Sequence, residues 1–169
     1  SATAQQTLNG AGASFPYPLY AQWAHKYNAT TGVKVNYQSI GSGGGLAQIN
    51  AKTVDFGGSD APLEKPELDE AGLVQFPMVM GGVVPVINVK GVEKGKLRLT
   101  GELMADIFLG KITNWSDAAI KAVTEGLELP DQAITIVHRA DGSGTTGIFT
   151  NYLDQESKAW HEAVGTDKD

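Results

Sequence analysis

Residues 139 to 147, Arg-Ala-Asp-Gly-Ser-Gly-Thr-Thr-Gly, join an apolar β-type run, Ile134-Thr135-Ile136-Val137, to a helix-like run, Ile148-Phe149-Thr150-Asn151-Tyr152-Leu153. A strand that turns on small residues into a helix commits the chain to an α/β arrangement and lets its backbone approach a ligand closely. The N–H groups of a first helical turn lack partners within the helix, and the helix dipole favours negative charge beside them. Arg139, just before the turn, adds a planar fork suited to phosphate or carboxylate. The stretch reads as an anion socket.

Three more turns share this character. Gly10-Ala11-Gly12-Ala13-Ser14-Phe15-Pro16 precedes a helix and presents the hydroxyl and N–H of Ser14. Gly41 to Gly45 carries Ser42 as its only hydroxyl and leads into the helical run Leu46-Ala47-Gln48-Ile49. Ser59-Asp60-Ala61-Pro62 closes the strand candidate Val54-Asp55-Phe56-Gly57-Gly58 with a carboxylate. One such turn alone is more often ordinary turn chemistry. Four at strand ends form a pattern, because open α/β sheets bind ligands beyond the carboxyl ends of their strands.

The remaining periodicity fits an alternating order. Leu8 to Phe15 reads as a short strand running into a turn, and Tyr17 to Asn28 as a helix with Leu19, Trp23 and Tyr27 on one apolar face. Val33, Val35 and Tyr37 alternate with polar residues as in a strand. Val83 to Val89 is the longest β-branched run and predicts another strand. Thr100 is placed to cap a helix ending near Leu109-Gly110, and Ser116 to cap one ending at Glu125-Gly126. Gly81-Gly82 reads either as a plain turn or as a hinge between lobes.

Composition narrows the partners. The 169 residues are 41% hydrophobic and 19% charged, which suits a globular chain of one domain or two small lobes. A net charge of −6 without a basic block argues against nucleic acid. Any anion site must therefore act through local dipoles and hydrogen bonds against an unfavourable global field. There is no cysteine, so disulfides say nothing about the compartment. The polar start, Ser1 to Gln6, reads either as the beginning of a processed, exported protein or as an arbitrary boundary. No apolar run is long enough to cross a bilayer.

Four segments together carry a family resemblance: Leu8 to Pro16, Ile40-Gly41-Ser42-Gly43-Gly44, Asp55 to Pro62, and Arg139 to Thr145. They resemble, in order, the anion-binding segments of the periplasmic phosphate-binding proteins of ABC-type phosphate importers. Val35-Asn36-Tyr37-Gln38, Gln75-Phe76-Pro77 and Leu109-Gly110-Lys111-Ile112 are similar as well. The resemblance implies an α/β, two-lobed, periplasmic-binding-protein-like fold, with residues 1–80 as the first lobe and 81–169 as part of the second. It implies a non-catalytic, extracytoplasmic receptor that closes on inorganic phosphate and hands it to a membrane permease. No metal or other cofactor enters that expectation.

Carried over by position, Ser14, the backbone N–H of Phe15, and Ser42 would donate from the first lobe. Arg139, Ser143, Gly144 and Thr145 would close from the other, with Asp141 holding Arg139 in place. Asp60 would accept the proton of HPO4 or H2PO4. A carboxylate can accept only from a protonated oxyanion, so fully ionised sulfate would meet an acceptor and a like charge. Members of the family are close to twice this length. The chain is therefore expected to be an N-terminal portion with an incomplete second lobe, a monomer in itself, whose remainder a separate chain could supply.

Other readings start from the same residues. Asp60 also reads as a turn or cap aspartate before Pro62, Arg139 as a surface partner of Asp141, and Ser143 and Thr145 as helix caps. A serine hydrolase using Ser143 or Ser42 lacks the Gly-x-Ser-x-Gly elbow, and no Gly-Lys-Ser/Thr marks a nucleotide loop. A binding or sensor module of the same fold for sulfate or molybdate is the nearest alternative. His25, His138 and His161 are scattered and read as structural or solvent-facing.

Overall fold

The computed structural model describes residues 6–167. The polar start up to Gln5 lies outside them, as do Lys168 and Asp169. The chain divides into two compact units. One comprises residues 6–82 together with Arg139–Gly147, the other Val83–His138 with Ile148–Asp167.

The first unit is built on three parallel strands, β1 (Thr7–Gly12), β2 (Lys34–Ser39) and β3 (Phe56–Gly58), in the order β2-β1-β3. Parallel neighbours require crossover connections, and helices supply them. α1 (Tyr17–Thr31) links β1 to β2, and α2 (Gly41–Asn50) links β2 to β3. α1 ends at Gly32, whose φ of 76° is the left-handed stop that glycine adopts without strain. α2 lies on β1 and β3, and the approach is close because Gly45 faces the strand backbone: a Cβ there would stand 2.5 Å from the Gly12 Cα. α3 (Lys65–Ala71) opens on a capping box between Glu64 and Glu67, a short helix that sequence reading leaves unassigned.

The expected apolar face of α1 differs from the packed one. Leu19, Trp23 and Tyr27 remain 38%, 42% and 49% exposed. Tyr20, one position away, meets the sheet instead, its ring edge-on to Tyr37 with centroids 5.0 Å apart. A helix crossing one edge of a three-stranded sheet buries a narrower stripe than its sequence periodicity offers.

The second unit is helical. α4 (Gly101–Phe108), α5 (Ala118–Val123), the body of α6 (Gly144–Glu156) and α7 (Lys158–Ala163) surround two apolar clusters. Leu103, Ile107, Ile120 and Leu129 lead one cluster, and Met104, Ala105, Leu153 and Trp160 form the other. Thr100 caps α4 as expected, its side chain accepting from the Leu103 N–H. The cap of α5 is Asp117, not Ser116: the Asp117 carboxylate accepts from the Ala119 N–H, while Ser116 bonds Asn114. Ser157 caps α7, a helix the periodicity did not announce.

Two expected strands do not form. Val83–Val89 has no ladder among the described residues, and Val84 and Val86 are 72% and 90% exposed. Pro85 removes one N–H from that run, and β propensity alone cannot hold extended backbone without a neighbour. Ile134–Val137 likewise follows a single antiparallel bridge, Asn114 with Ala133, and goes no further. Among the described residues no helix is long and apolar enough to cross a membrane.

Candidate functional site

Parallel strands send all their carboxyl ends to one edge of the sheet, so β1, β2 and β3 deliver Ser14-Phe15, Gly41-Ser42 and Ser59-Asp60 to the same side. The Arg139–Gly147 segment packs in this same unit. It touches the first unit's loops directly. The Gly43 N–H donates to the Gly142 carbonyl at 3.0 Å.

Asp60 lies at the meeting point. Its N–H donates to the Ser42 Oγ at 3.1 Å, and its Oδ2 accepts from the Thr145 hydroxyl at 2.9 Å. Its Oδ1 is buried and has no hydrogen-bond partner among the described residues. Gly144 sits against both neighbours: a Cβ there would be 2.6 Å from the Ser42 Oγ and 2.6 Å from the Asp60 Cβ. Any side chain at 144 would fill the corner. Ser42, buried to 4% exposure, accepts from Asp60 and keeps its own proton to donate.

The helix begins earlier than expected in α2, so Ser42 occupies the first helical turn instead of a preceding loop. Ser143 is 1% exposed, and its Oγ accepts from the Thr146 N–H at 3.4 Å across the start of α6. Two helix N-termini, those of α2 and α6, thus meet beside Asp60.

Arg139 and Asp141 form a fork-to-fork pair. Nε donates to Oδ1 at 2.8 Å and Nη2 donates to Oδ2. The pair stands over Gly41, where a Cβ would meet Asp141 Oδ2 at 2.7 Å and Arg139 Nη2 at 3.1 Å. Gly41 has φ of 81°, so both conformation and space call for glycine. Hydrogen bonding to Arg139 holds the Asp141 carboxyl below its ordinary range, and the same bond raises the Arg139 guanidinium.

Ser14 and Phe15 are half-buried and exposed respectively, and neither side chain bonds Asp60 directly. They are held by the residue before them: the Ala13 N–H donates to the Gly58 carbonyl at 2.9 Å, and the Tyr37 hydroxyl donates to the Ala13 carbonyl at 2.8 Å. In the sequence Tyr37 stands out only as a strand residue and as part of the resembling segment Val35-Asn36-Tyr37-Gln38. An aromatic hydroxyl at the end of a strand flanked by glycines was the available sign. Burial raises the Tyr37 hydroxyl well above the ordinary tyrosine value, and the charges of Tyr20 and Asp60 act the same way.

The arrangement can hold an oxyanion. It gathers hydroxyl donors and two helix N-termini around one carboxylate with an unused buried acceptor. Among the described residues no group of three or more His, Cys, Asp or Glu is placed to hold a metal ion.

Residues 1–168 match the PBP superfamily domain. The chain is 62% identical over 167 residues to the phosphate-binding protein PstS of Xylella fastidiosa (strain 9a5c), covering 96% of this chain and 46% of that protein. It is 57% identical over 166 residues to PstS of Pasteurella multocida, covering 98% of this chain and 48% of the relative. The chain therefore spans about half the length of the curated relatives it matches. A Clostridium perfringens protein solved with bound phosphate shares the fold at 21% identity, with a TM-score of 0.64, over 92% of this chain and 58% of that one.

Proposed function

The chain belongs to the PBP superfamily, and from that premise we propose that it carries the phosphate-holding loops of an extracytoplasmic receptor serving an ABC permease. Inorganic phosphate is the ligand, held by Ser14, the Phe15 N–H, Ser42, Asp60, Arg139, Ser143, Gly144 and Thr145, with Asp141 keeping Arg139 in its plane. The proposed lobes are residues 1–80 and 81–169. The names of the PstS relatives support the ligand, and the geometry around Asp60 supports the site.

The buried, unpartnered Asp60 Oδ1 carries the reading. With Oδ2 engaged by Thr145, the remaining lone pairs need a donor, and an oxyanion supplies one only when it bears a proton. Monohydrogen phosphate does so at neutral pH, and sulfate does not. The role is binding and not catalysis: Ser143 lacks the Gly-x-Ser-x-Gly elbow, and its hydroxyl lies at the start of α6 among the groups proposed to hold the anion.

Calorimetric titration of this chain and of Asp60→Asn, with phosphate and then sulfate at neutral pH, tests the proposal. The unsubstituted chain should take up phosphate and give no heat with sulfate. Asp60→Asn should admit sulfate, narrowing the discrimination by on the order of a hundredfold. Equal affinity of the unsubstituted chain for both anions would remove phosphate as the specific ligand.

A further inference from the structure

The central strand contributes glycine where its neighbours contribute aromatic rings. Gly10 of β1 is in register with Tyr37 of β2 on one side and Phe56 of β3 on the other. A Cβ at Gly10 would stand 2.2 Å from the Phe56 ring, so the ring lies directly over that glycine. The two outer-strand rings therefore meet across β1, stacked with centroids 6.0 Å apart and planes 17° off parallel. Tyr17 stacks on Tyr37 at 6.5 Å, and Tyr20 closes edge-on at 5.0 Å. Three rings around Tyr37 fix where its hydroxyl points.

That hydroxyl lies between two loops. It donates to the Ala13 carbonyl at 2.8 Å, immediately before Ser14-Phe15. It also lies against Gly58, immediately before Ser59-Asp60, so closely that a Cβ at 58 would stand 2.4 Å from it. The Gly58 carbonyl in turn accepts from the Ala13 N–H at 2.9 Å. Ala13 is 2% exposed and is thus gripped at both its N–H and its carbonyl.

We propose that Tyr37 is a positioning residue of the oxyanion site, fixing the Ser14-Phe15 loop relative to Asp60 through its hydroxyl while touching no ligand itself. The inference rests on the oxyanion reading given above. Its physical basis is preorganisation: donors already aimed at the ligand lose little freedom when it binds, so loosening their support weakens binding without removing a contact. The hydroxyl is protonated, and therefore a donor, across the neutral range, and burial extends that range upward.

Tyr37→Phe tests this, since it keeps the ring stack and removes only the oxygen. Calorimetry with inorganic phosphate should show affinity about tenfold weaker than in the unsubstituted chain. Amide hydrogen exchange should quicken at residues 13–15 and 58–60 and stay unchanged in α4. Tyr17→Phe, which alters the same stack but not the bond to Ala13, should bind phosphate as the unsubstituted chain does. Gly58→Ala supplies a second route, because its methyl must displace the Tyr37 hydroxyl and should weaken phosphate binding similarly. In the Tyr37→Phe background that added methyl should cost less affinity.

Phosphate affinity within twofold of the unsubstituted chain in Tyr37→Phe overturns the inference and leaves the oxyanion reading intact. If Tyr37→Phe does not fold, Gly58→Ala decides: undiminished affinity there overturns the inference too. If neither the folded unsubstituted chain nor one extended to its relatives' length takes up phosphate, both fall.

Discussion

β2 holds two residues that favour extended backbone, Val35 and Tyr37, and the Val83–Val89 run holds five, yet only β2 is a strand. β2 pairs along its whole length with β1, residue for residue from Thr7 with Lys34 to Gly12 with Ser39. Val83–Val89 finds no such neighbour among the described residues and leaves Val86 90% exposed. Propensity favours the run that stays unpaired, and what decides is a hydrogen-bonding partner. Extended backbone holds its place through its ladder and through burial of one face, not through side-chain preference alone. The first unit has both, whereas the second unit depends on its helices.

The largest expected effect sharpens that contrast inside the second unit. Ile120 is fully buried, and Ile120→Ala should destabilise by about 3 kcal/mol, whereas Val86→Ala should stay within about 0.5 kcal/mol. Urea unfolding followed by circular dichroism measures both. A comparable loss at Val86 would mean that the β-branched run is packed after all.

Glycines provide the next comparison. Gly45→Ala places a methyl 2.5 Å from the Gly12 Cα and 2.7 Å from the Ala11 carbonyl oxygen, forcing α2 off the sheet. We expect about 2 kcal/mol of destabilisation, beyond any gain in helix propensity. A methyl at Gly82 would meet nothing within 4 Å, and Gly82→Ala should be close to neutral. Equal behaviour of the two variants in thermal melts would break the idea that close approach defines the first unit.

The smallest effects are those of pH. The Tyr37 hydroxyl is raised from 10.0 by burial, so its contribution to stability is complete below that value and is lost as pH rises above it. Alkaline unfolding from pH 9 upward should therefore be shallower in Tyr37→Phe. Asp141 is shifted the other way, below 3.8, by its bond to Arg139. Its contribution is present above that ordinary value and fades as pH falls through the lower folded one. Because Asp141 is exposed, Asp141→Asn should flatten the acid limb only slightly, and less at high salt. A large acid effect would mean that the pair is shielded from water.

Much of the first unit was legible because its signals are local. Thr7–Gly12, Tyr17–Thr31 and Lys34–Ser39 each lie within a residue or a few of their sequence-based limits, since alternation marks a strand and helical period a helix even where, as in α1, the packed face is shifted by one position. The glycine-rich turns were legible too, as the left-handed φ at Gly41 and the crowding at Gly144 admit little else. The cap of α5 was misread by one residue because Ser116 and Asp117 are both good caps, and only the Asn114 side chain decides between them.

By itself, the sequence determined the α/β order, the strand-end turns and the residue types that gather at them: hydroxyls, glycines, two carboxylates and one arginine. Those follow from short-range sterics and from which side chains can donate or accept. Only the tertiary structure decided that Arg139–Gly147 packs with the first unit, that Thr145 engages one oxygen of Asp60 and leaves the other buried, and that Tyr37 holds Ala13. Each of those joins residues far apart along the chain, 85 positions in the case of Thr145 and Asp60. Pairings at such separation depend on how the elements stack, and no local preference encodes that.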